Sequence, residues 1–157
     1  MKLDKKDIQI LKILQRNSKI SLKELARKVS LPVTTVFNRI RKFEQNGLIK
    51  NYRAILDPKK VGYDVTAFIL VAYDASSKRS QREVARDISK LPFVQEVHII
   101  TGEWDMLLKV RGRNSEEIGK FVLDKLREIE GVLKTVTIVV FETAKETTEL
   151  PLIHGYI

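Results

Sequence analysis

The side chains whose chemistry most clearly suggests a function lie between positions 33 and 45, on one side of a predicted helix. Val33, Val36, Ile40 and Phe43 form an apolar stripe at helical spacing, and the opposite side carries hydroxyl, amide and basic groups. Such groups can hydrogen-bond to the edges of DNA bases or neutralise phosphates. The candidate DNA-contacting residues are therefore Thr34, Thr35, Asn38, Arg39, Arg41 and Lys42, together with Lys28 of the preceding helix.

Position along the helix separates the expected roles of these side chains. Thr34, Thr35 and Asn38 lie in the first turns, where a helix that reads the major groove meets base edges. We expect the Asn38 amide to bridge an adenine and a threonine methyl group to touch thymine. Phosphate contacts, which set the register of the protein on the duplex, are expected from Arg41, Lys42 and Lys28.

The two flanks of the helix carry Arg39 and Phe37. Arg39 lies beside the apolar stripe, so an ion pair with Asp7 or Glu24 and a contact with DNA are both open. Phe37 lies on the other flank, where packing is expected rather than base contact.

Two further helices are predicted to position this one. An apolar stripe between residues 22 and 29 predicts the first, and Ser21 with Glu24 predicts a capping box at its start. Pro32 suits the beginning of the helix that follows, and Gly47 suits its end. A third helix at Lys5–Arg16 closes the core and completes a helix-turn-helix module.

The charge of the chain is concentrated in this module. Residues 1–60 contain 16 Lys and Arg against 5 Asp and Glu, a balance of +11, whereas residues 61–157 contain 13 against 15, a balance of −2. A basic module attached to a nearly neutral body indicates phosphate contact by that module.

Composition excludes several other classes of protein. The chain has no cysteine and no apolar run near the roughly 20 residues of a membrane span, so we expect a cytoplasmic protein without disulfides or membrane contact. Its two histidines, His98 and His154, belong to no metal-ligand cluster, and no glycine-rich phosphate loop is present. We therefore expect no enzyme activity, no metal and no cofactor. His98 alternates with Glu96 on one strand face, where a buried or interfacial hydrogen-bonded pair is expected.

Beyond Gly47 the pattern becomes extended. Leu48-Ile49 and Tyr52–Leu56 are short β-like runs that predict a wing or linker strand, and residues 57–62 predict a hinge. Strands are then predicted at Val65–Tyr73, Val94–Thr101, Asp105–Val110 and Val132–Glu142, with helices at Gln81–Leu91 and at Ser115–Glu130, the latter capped by Ser115. This βαββαβ order predicts a ferredoxin-like sheet, and the whole chain is α+β.

The predicted sheet has helices on one face only. Both sets of alternating positions are apolar in its first and last strands, so the sequence leaves open which face the helices cover. The other face, with residues such as Phe68, Leu70, Ile138 or Val140, needs a cover, and a second copy of the chain would supply one. A two-fold dimer would also bring a second DNA-reading helix.

The chain resembles the Lrp/AsnC (feast/famine) family of prokaryotic transcription regulators over essentially its whole length. The residues that carry the resemblance are Leu3-Asp4, Asp7, Ile10-Leu11-x-x-Leu14, Glu24-Leu25-Ala26, Arg39-Ile40, Glu44-x-x-Gly47-x-Ile49, Leu56-Asp57, Gly62, Thr101-Gly102-x-x-Asp105, Gly131-Val132 and Thr135-x-Thr137. The resemblance implies a winged helix-turn-helix followed by a ferredoxin-like domain of the RAM/Lrp type. It also implies dimers that assemble into tetramers or octamers, with an amino-acid effector bound between subunits.

The same resemblance assigns effector-binding residues. Gly102 and Asp105 match the effector-binding turn, with packing roles as hairpin glycine and turn residue as the alternative, and Thr101, Thr135 and Thr137 match neighbouring positions of that site. Trp104 lies in the same turn, with packing against a neighbouring subunit as the alternative to effector contact. We expect residues 1–50 to bind double-stranded DNA, 51–63 to form a linker strand and hinge, and 64–142 to bind the effector and oligomerise. Residues 143–157 form a tail whose apolar residues pack on this or a neighbouring subunit.

Two alternative functions remain at this point. An architectural DNA-binding protein would use the same basic helix without any effector, and would bind random DNA as tightly as a promoter. A siroheme decarboxylase is similar in overall build, but would need haem-binding histidines and no basic helix face.

Overall fold

The computed structural model describes residues 2–153, which fall into two compact units. The first contains the chain up to residue 55 together with the segment from residue 145 onward, and the second contains residues 56–144. Each unit has its own buried apolar cluster.

Three helices form the first unit: α1 at Lys5–Arg16, α2 at Leu22–Val29 and α3 at Val33–Gln45. They bury one continuous core whose fully buried members are Ile10, Leu25, Val29, Val36 and Phe43. Gly47 follows α3 with a left-handed φ of +67°, as its predicted role in ending the helix requires. The predicted helix-turn-helix module is confirmed.

Both α1 and α2 begin with a side-chain cap, but the predicted capping box at the start of α2 is incomplete. The Ser21 hydroxyl accepts the Glu24 backbone N–H at 3.2 Å, while the Glu24 carboxylate lies 3.7 Å from Lys28 Nζ. Within the first unit a complete capping box occurs instead at α1, where Asp4 and Asp7 exchange backbone-to-carboxylate hydrogen bonds of 2.7 and 2.9 Å. Aspartate is short, but at this position its carboxylate reaches the backbone N–H three residues away.

The second unit is a four-stranded antiparallel sheet with helices on one face. Its strands are β1 at Val65–Tyr73, β2 at Val94–Ile99, β3 at Met106–Gly112 and β4 at Val132–Val139, in the spatial order β2-β3-β1-β4. Its helices are α4 at Gln81–Ile88 and α5 at Ser115–Phe121, the latter continued by a π-helical turn at Val122–Leu126. A short 3₁₀ turn, Lys59–Val61, precedes the sheet. The predicted βαββαβ order is confirmed.

Several predicted boundaries need correction. Helix α4 ends at Ile88 rather than Leu91, and the second helix changes from α to π geometry after Phe121. Its N-cap is Asn114, whose side chain accepts the Glu117 N–H at 2.8 Å, and not Ser115. Both residues are good caps, so local sequence could not decide between them.

No strand occurs between residues 48 and 57. The predicted β-like runs Leu48-Ile49 and Tyr52–Leu56 therefore do not form strands within this single chain. A strand needs a neighbour to satisfy its backbone hydrogen bonds, and the described strands pair only among themselves in the sheet of the second unit.

The strand register settles which sheet face the helices cover. Ala67, Ile69 and Val71 of β1 are fully buried beneath the helices, and their partners on β3 are equally buried. The opposite face, hereafter the open sheet face, pairs Phe68 with Ile138 and Leu70 with Val136. Ile138 is 47% exposed and Val136 37% exposed. This face carries the apolar residues predicted to need a cover.

The segment from residue 145 onward docks on the first unit. Gln15 exchanges two hydrogen bonds with the Leu150 backbone, at 2.8 and 3.1 Å, and Arg16 Nε lies 2.8 Å from the Glu149 carboxylate. Leu152 packs against the three-helix core. Packing on its own chain, one of the two predicted alternatives, is thus observed for Leu152, whereas Leu150 is 65% exposed and Ile153 is 52% exposed. His154 and the residues after it lie outside the described residues.

Gly131 provides a test of this fold. Its φ is +98°, and a Cβ atom placed there would lie 2.6 Å from Val84 Cγ2. We predict that Gly131→Ala lowers the free energy of unfolding by about 1–3 kcal/mol, measured by urea denaturation. The alanine would have to adopt a positive φ, and its Cβ atom would overlap the Val84 side chain. Gly119→Ala is the matched control, since Gly119 is helical with open space around it and should tolerate alanine or gain stability. Equal stability of the two variants would contradict the described packing.

Candidate DNA-binding surface and ligand-binding turn

Helix α3 is anchored along one stripe only. Val36 and Phe43 are at most 1% exposed, and Ile40 packs partly against the same core. Four predicted DNA-contacting side chains, Thr34, Asn38, Arg41 and Lys42, are exposed on the remaining surface, and Thr35 is half-buried. The helix therefore presents a polar and basic face to solvent while its apolar stripe holds it in place.

Arg39 ties the anchored side of α3 to the start of α1. Its Nη1 atom lies 2.6 Å from both Asp4 Oδ2 and Asp7 Oδ1. The hydrogen bond from Arg39, followed by that from the Asp7 backbone, holds the pKa of Asp4 below its usual value. Asp4 and then Asp7 raise the pKa of Arg39 through their hydrogen bonds. The ion pair with Asp7 that the sequence left open is therefore present, and Glu24 takes no part in it.

Sequence reasoning missed the contribution of Asp4 to this cluster. The available signal was the Asp4-x-x-Asp7 spacing, which is that of a helix cap followed by its third residue. The same capping box that starts α1 also holds the two carboxylates where the guanidinium can reach both.

A lysine contact fixes the turn between α2 and α3. Lys6 Nζ donates to the Val29 carbonyl at 2.5 Å, which satisfies one of the free carbonyls at the end of α2. Ser30 follows in a left-handed conformation with φ 53°, and Pro32 precedes α3 without a side-chain cap. Lys28, on the same helix end, has a half-exposed side chain.

Phe37 does not pack in the core of this chain. Its side chain is 47% exposed, and Val33, one turn earlier, is 44% exposed. Contrary to the expectation, Phe37 does not pack against the three-helix core of this chain. The helical period alone does not show how wide a stripe the neighbouring helices cover.

The segment after α3 is held to the end of that helix by Tyr52. The Tyr52 hydroxyl donates to Glu44 Oε1 at 2.9 Å. Burial, followed by the hydrogen bond to Glu44, raises the pKa of Tyr52 to about 12. Lys50 and Arg53, on either side of Tyr52, are exposed.

In the second unit, the turn between β2 and β3 contains Gly102 and Asp105. Gly102 is exposed with φ +119°, a conformation that favours glycine, and a Cβ there would meet no atom within 4 Å. Asp105 Oδ2 accepts the Tyr73 backbone N–H at 2.8 Å, and the Asp105 backbone pairs with Val71 at 3.1 Å. Asp105 thus ties the turn to the end of β1, which is the alternative role considered for it.

The structure brings the turn close to the beginning of β4. Lys134 Nζ lies 5.3 Å from the centroid of the Trp104 ring, a cation–π distance. Thr135 is 8% exposed, and its hydroxyl accepts a hydrogen bond from Arg127 Nε at 2.9 Å. It pairs with Val71, the residue that also contacts Asp105. Thr101 and Thr137 are exposed to solvent. The predicted effector-binding residues therefore include some with side-chain hydrogen bonds within the chain, such as Asp105 and Thr135, and some that are exposed.

The predicted pair of His98 and Glu96 on β2 is open to solvent. His98 Nε2 lies 3.2 Å from Glu96 Oε2, and both side chains are about half exposed. The hydrogen bond with His98 lowers the pKa of Glu96. Burial acts in the opposite direction but is the smaller effect, so the pKa of Glu96 stays below its usual value. The predicted pair is formed, but it is not buried within this chain. Among residues 2–153 no cluster of metal-ligating side chains occurs, and none of the helices there is long and apolar enough to cross a membrane.

Comparison with known proteins relates both units to described families. Residues 3–50 match a model described as a winged helix-turn-helix DNA-binding domain, and residues 66–150 match the Lrp/AsnC ligand binding domain. An uncharacterized HTH-type transcriptional regulator of Pyrococcus abyssi is 49% identical over 144 residues, covering 92% of this chain and 96% of that protein. The HTH-type transcriptional regulator FL11 of Pyrococcus horikoshii is 44% identical, covering 96% of this chain and 97% of that protein.

A solved structure is similar along nearly the whole chain. The transcriptional regulator of Neisseria meningitidis in its complex with L-Met superimposes with a TM-score of 0.89 at 34% identity, covering 98% of this chain and 99% of that one. The matched proteins are regulators of transcription rather than enzymes.

The Arg39 cluster gives a test that combines mutation and pH. The pKa of Asp4 is lower in the folded state than in the unfolded state, where it is about 3.9. Ionised Asp4 therefore stabilises the fold fully at pH values above the unfolded pKa. This stability is lost as the pH falls through the lower pKa of the folded state. We predict that Arg39→Met lowers the free energy of unfolding by about 1–2 kcal/mol at pH 7, discounted for the half-exposed Asp4 side chain. The loss should shrink towards pH 2.

Urea denaturation at both pH values measures this difference. Arg41→Met is the control, because Arg41 is exposed on the same helix and should change stability little at either pH. An Arg39→Met variant as stable as Arg41→Met at pH 7 would show that the cluster contributes nothing to the position of α3.

Proposed function

Because this chain belongs to the Lrp/AsnC family of transcriptional regulators, we propose that it binds palindromic-like promoter sites as a dimer or higher oligomer and responds to an amino-acid effector. The proposal includes a cytoplasmic location, where a regulator meets chromosomal DNA. It keeps the functional division into a DNA-binding domain at 1–50, a linker strand and hinge at 51–63, a ligand-binding and oligomerisation domain at 64–142, and a tail at 143–157.

The observation that carries the DNA-binding part is the exposed polar and basic face of α3. Thr34, Asn38, Arg41 and Lys42 are exposed together on a helix that Val36 and Phe43 anchor to the core. The module around them has 16 basic against 5 acidic residues. A helix of this kind fits the major groove, and the surplus of positive charge favours phosphates on either side.

Within this proposal Arg39 is a positioning residue. One guanidinium nitrogen is held by two carboxylates at 2.6 Å, so contact with a phosphate would have to compete with that pair. Arg39 then fixes the orientation of α3 relative to α1, and the base and phosphate contacts come from the exposed residues of α3 and from Lys28.

The dimer is supported by the open sheet face. Phe68, Leu70, Val136 and Ile138 form adjacent cross-strand pairs there, which leaves a contiguous apolar surface uncovered by helices. Burying such a surface against the same surface of a second copy is favourable and gives two-fold symmetry. Two copies of α3 would then serve the two halves of a palindromic site.

The effector is proposed to bind at the turn between β2 and β3. Gly102 leaves backbone groups open to a ligand carboxylate, and Thr101 and Trp104 belong to the same turn. Thr137 is exposed on β4, two residues beyond Thr135. Asp105 and Thr135 hold the turn and β4 against the end of β1, and would contact the ligand through their remaining lone pairs. The L-Met bound to the Neisseria regulator supports an amino acid as the ligand class.

DNA readout is tested by two substitutions on the same helix. We predict that Asn38→Ala relaxes sequence preference at the contacted base pair by about 1–3 kcal/mol, because a bidentate amide contact is lost. Lys42→Ala should weaken binding to all duplexes alike and reduce the salt dependence by about one phosphate per chain. Selection of sites from a random duplex pool, followed by fluorescence anisotropy on selected and scrambled duplexes, measures both effects.

The two substitutions control for each other. If both reduced preference equally, the assignment of base and phosphate contacts would be wrong. If the wild-type protein bound scrambled and selected duplexes with the same affinity, the protein would be an architectural DNA binder.

Effector binding is tested by a thermal-shift screen of the twenty amino acids, followed by Trp104 fluorescence. A true effector should raise the melting temperature in a dose-dependent way, since a ligand at 100 times its Kd adds about 2.7 kcal/mol to stability. We predict that Gly102→Ala loses this shift, because a strained alanine alters the backbone that meets the ligand. Gly62→Ala is matched to it, with φ +86° and open space, and should keep the shift. A Gly102→Ala protein that responds as strongly as Gly62→Ala would place the site elsewhere.

A further inference from the structure

We propose that Phe37 and Val33 read thymine in the operator, through contact of their side chains with the C5-methyl groups of the bases. This inference rests on the proposed entry of α3 into the major groove. It assigns sequence preference to two apolar residues beside the polar ones that are expected to hydrogen-bond to bases.

Phe37 and Val33 are both apolar and exposed to solvent. Phe37 is 47% exposed and Val33 is 44% exposed, although each would be stabilised by burial. They are four residues apart on α3, so their side chains lie next to each other along the helix surface. Together they form one apolar strip rather than two isolated exposed residues.

This apolar strip lies beside the polar residues of α3. At about 100° per residue, Val33, Phe37, Arg41, Thr34 and Asn38 fall within an arc of about 140°, which begins at Val33 on the edge of the buried stripe and runs away from Val36. Thr34, Asn38 and Arg41 are exposed. The apolar strip is therefore continuous with the face proposed to contact bases, and any partner that covers one covers the other.

Charge identifies the partner as DNA. The first seven residues of α3 contain no acidic side chain, and Glu44, the acidic residue near its end, is hydrogen-bonded to Tyr52. The surrounding module has a balance of +11, from 16 basic and 5 acidic residues. A polyanion complements this surface, and the apolar group that the major groove of DNA presents is the thymine methyl.

Deoxyuridine provides the test, because it differs from thymine by that methyl group alone. Sites are first selected from a random duplex pool with the wild-type protein, and the selected duplex is then synthesised with deoxyuridine at each thymine in turn. We expect at least one substitution in each half-site to weaken wild-type binding about fourfold, the effect of removing one buried methyl group. Phe37→Ala or Val33→Ala should bind the thymine and deoxyuridine duplexes at that position within twofold of each other.

Leu48→Ala is the matched control. Leu48 is 44% exposed in the same module but lies beyond the end of α3, so this variant should keep the preference for thymine. Light scattering on each variant establishes its assembly state. A change of assembly state in Phe37→Ala would show that Phe37 packs against a second copy of this chain, and the inference would be wrong.

The remaining outcomes separate this inference from the proposed function. A selected consensus that the wild-type protein binds equally well with deoxyuridine would overturn thymine reading and leave base readout by α3 intact. Preference for thymine that survives both Phe37→Ala and Val33→Ala would assign the methyl contact to another residue, such as Thr34. Failure to select any consensus would overturn the proposed base readout itself.

Discussion

The structure of the DNA-binding module depends on how little of α3 is buried. Val36 and Phe43 hold the helix to the core along one stripe, and Arg39 holds it to the start of α1 through Asp4 and Asp7. These contacts restrain both the rotation and the tilt of the helix while most of its circumference stays in water. A surface that must enter a groove needs this arrangement, because a mobile helix would lose conformational entropy on every binding event.

The second unit likewise has one packed surface and one exposed surface. Helices cover one face of the sheet, and the open sheet face presents cross-strand apolar pairs such as Phe68 with Ile138 and Leu70 with Val136. The first face buries the core of the unit, and the second is the face that we propose associates with another copy. The turn carrying Gly102 lies at the end of this sheet, where the Asp105 carboxylate fixes its connection to β1. A ligand bound there would act on a turn that is anchored on one side and open on the other.

Regular periodicity made much of this fold predictable. The bounds of α1 and β1 are those expected from the sequence, since strong apolar patterns and clear end signals agree there. Competing signals caused the errors: two good caps lie side by side at Asn114 and Ser115, and the β-like run after Gly47 has no strand partner in one chain. The side-chain contacts of Asp105 with the Tyr73 backbone, and the exposure of Phe37, depend on tertiary packing that no local pattern encodes.

The central claim is that a basic helical face, presented twice by paired chains, binds duplex DNA. The most direct measurement is the mass and salt dependence of the protein–DNA complex, obtained by light scattering and anisotropy with one duplex over a range of salt concentrations. The account predicts at least two chains per duplex and an affinity that falls steeply as salt rises, because several phosphates release counterions. A single chain in solution, or no binding to duplex DNA at low ionic strength, would contradict it.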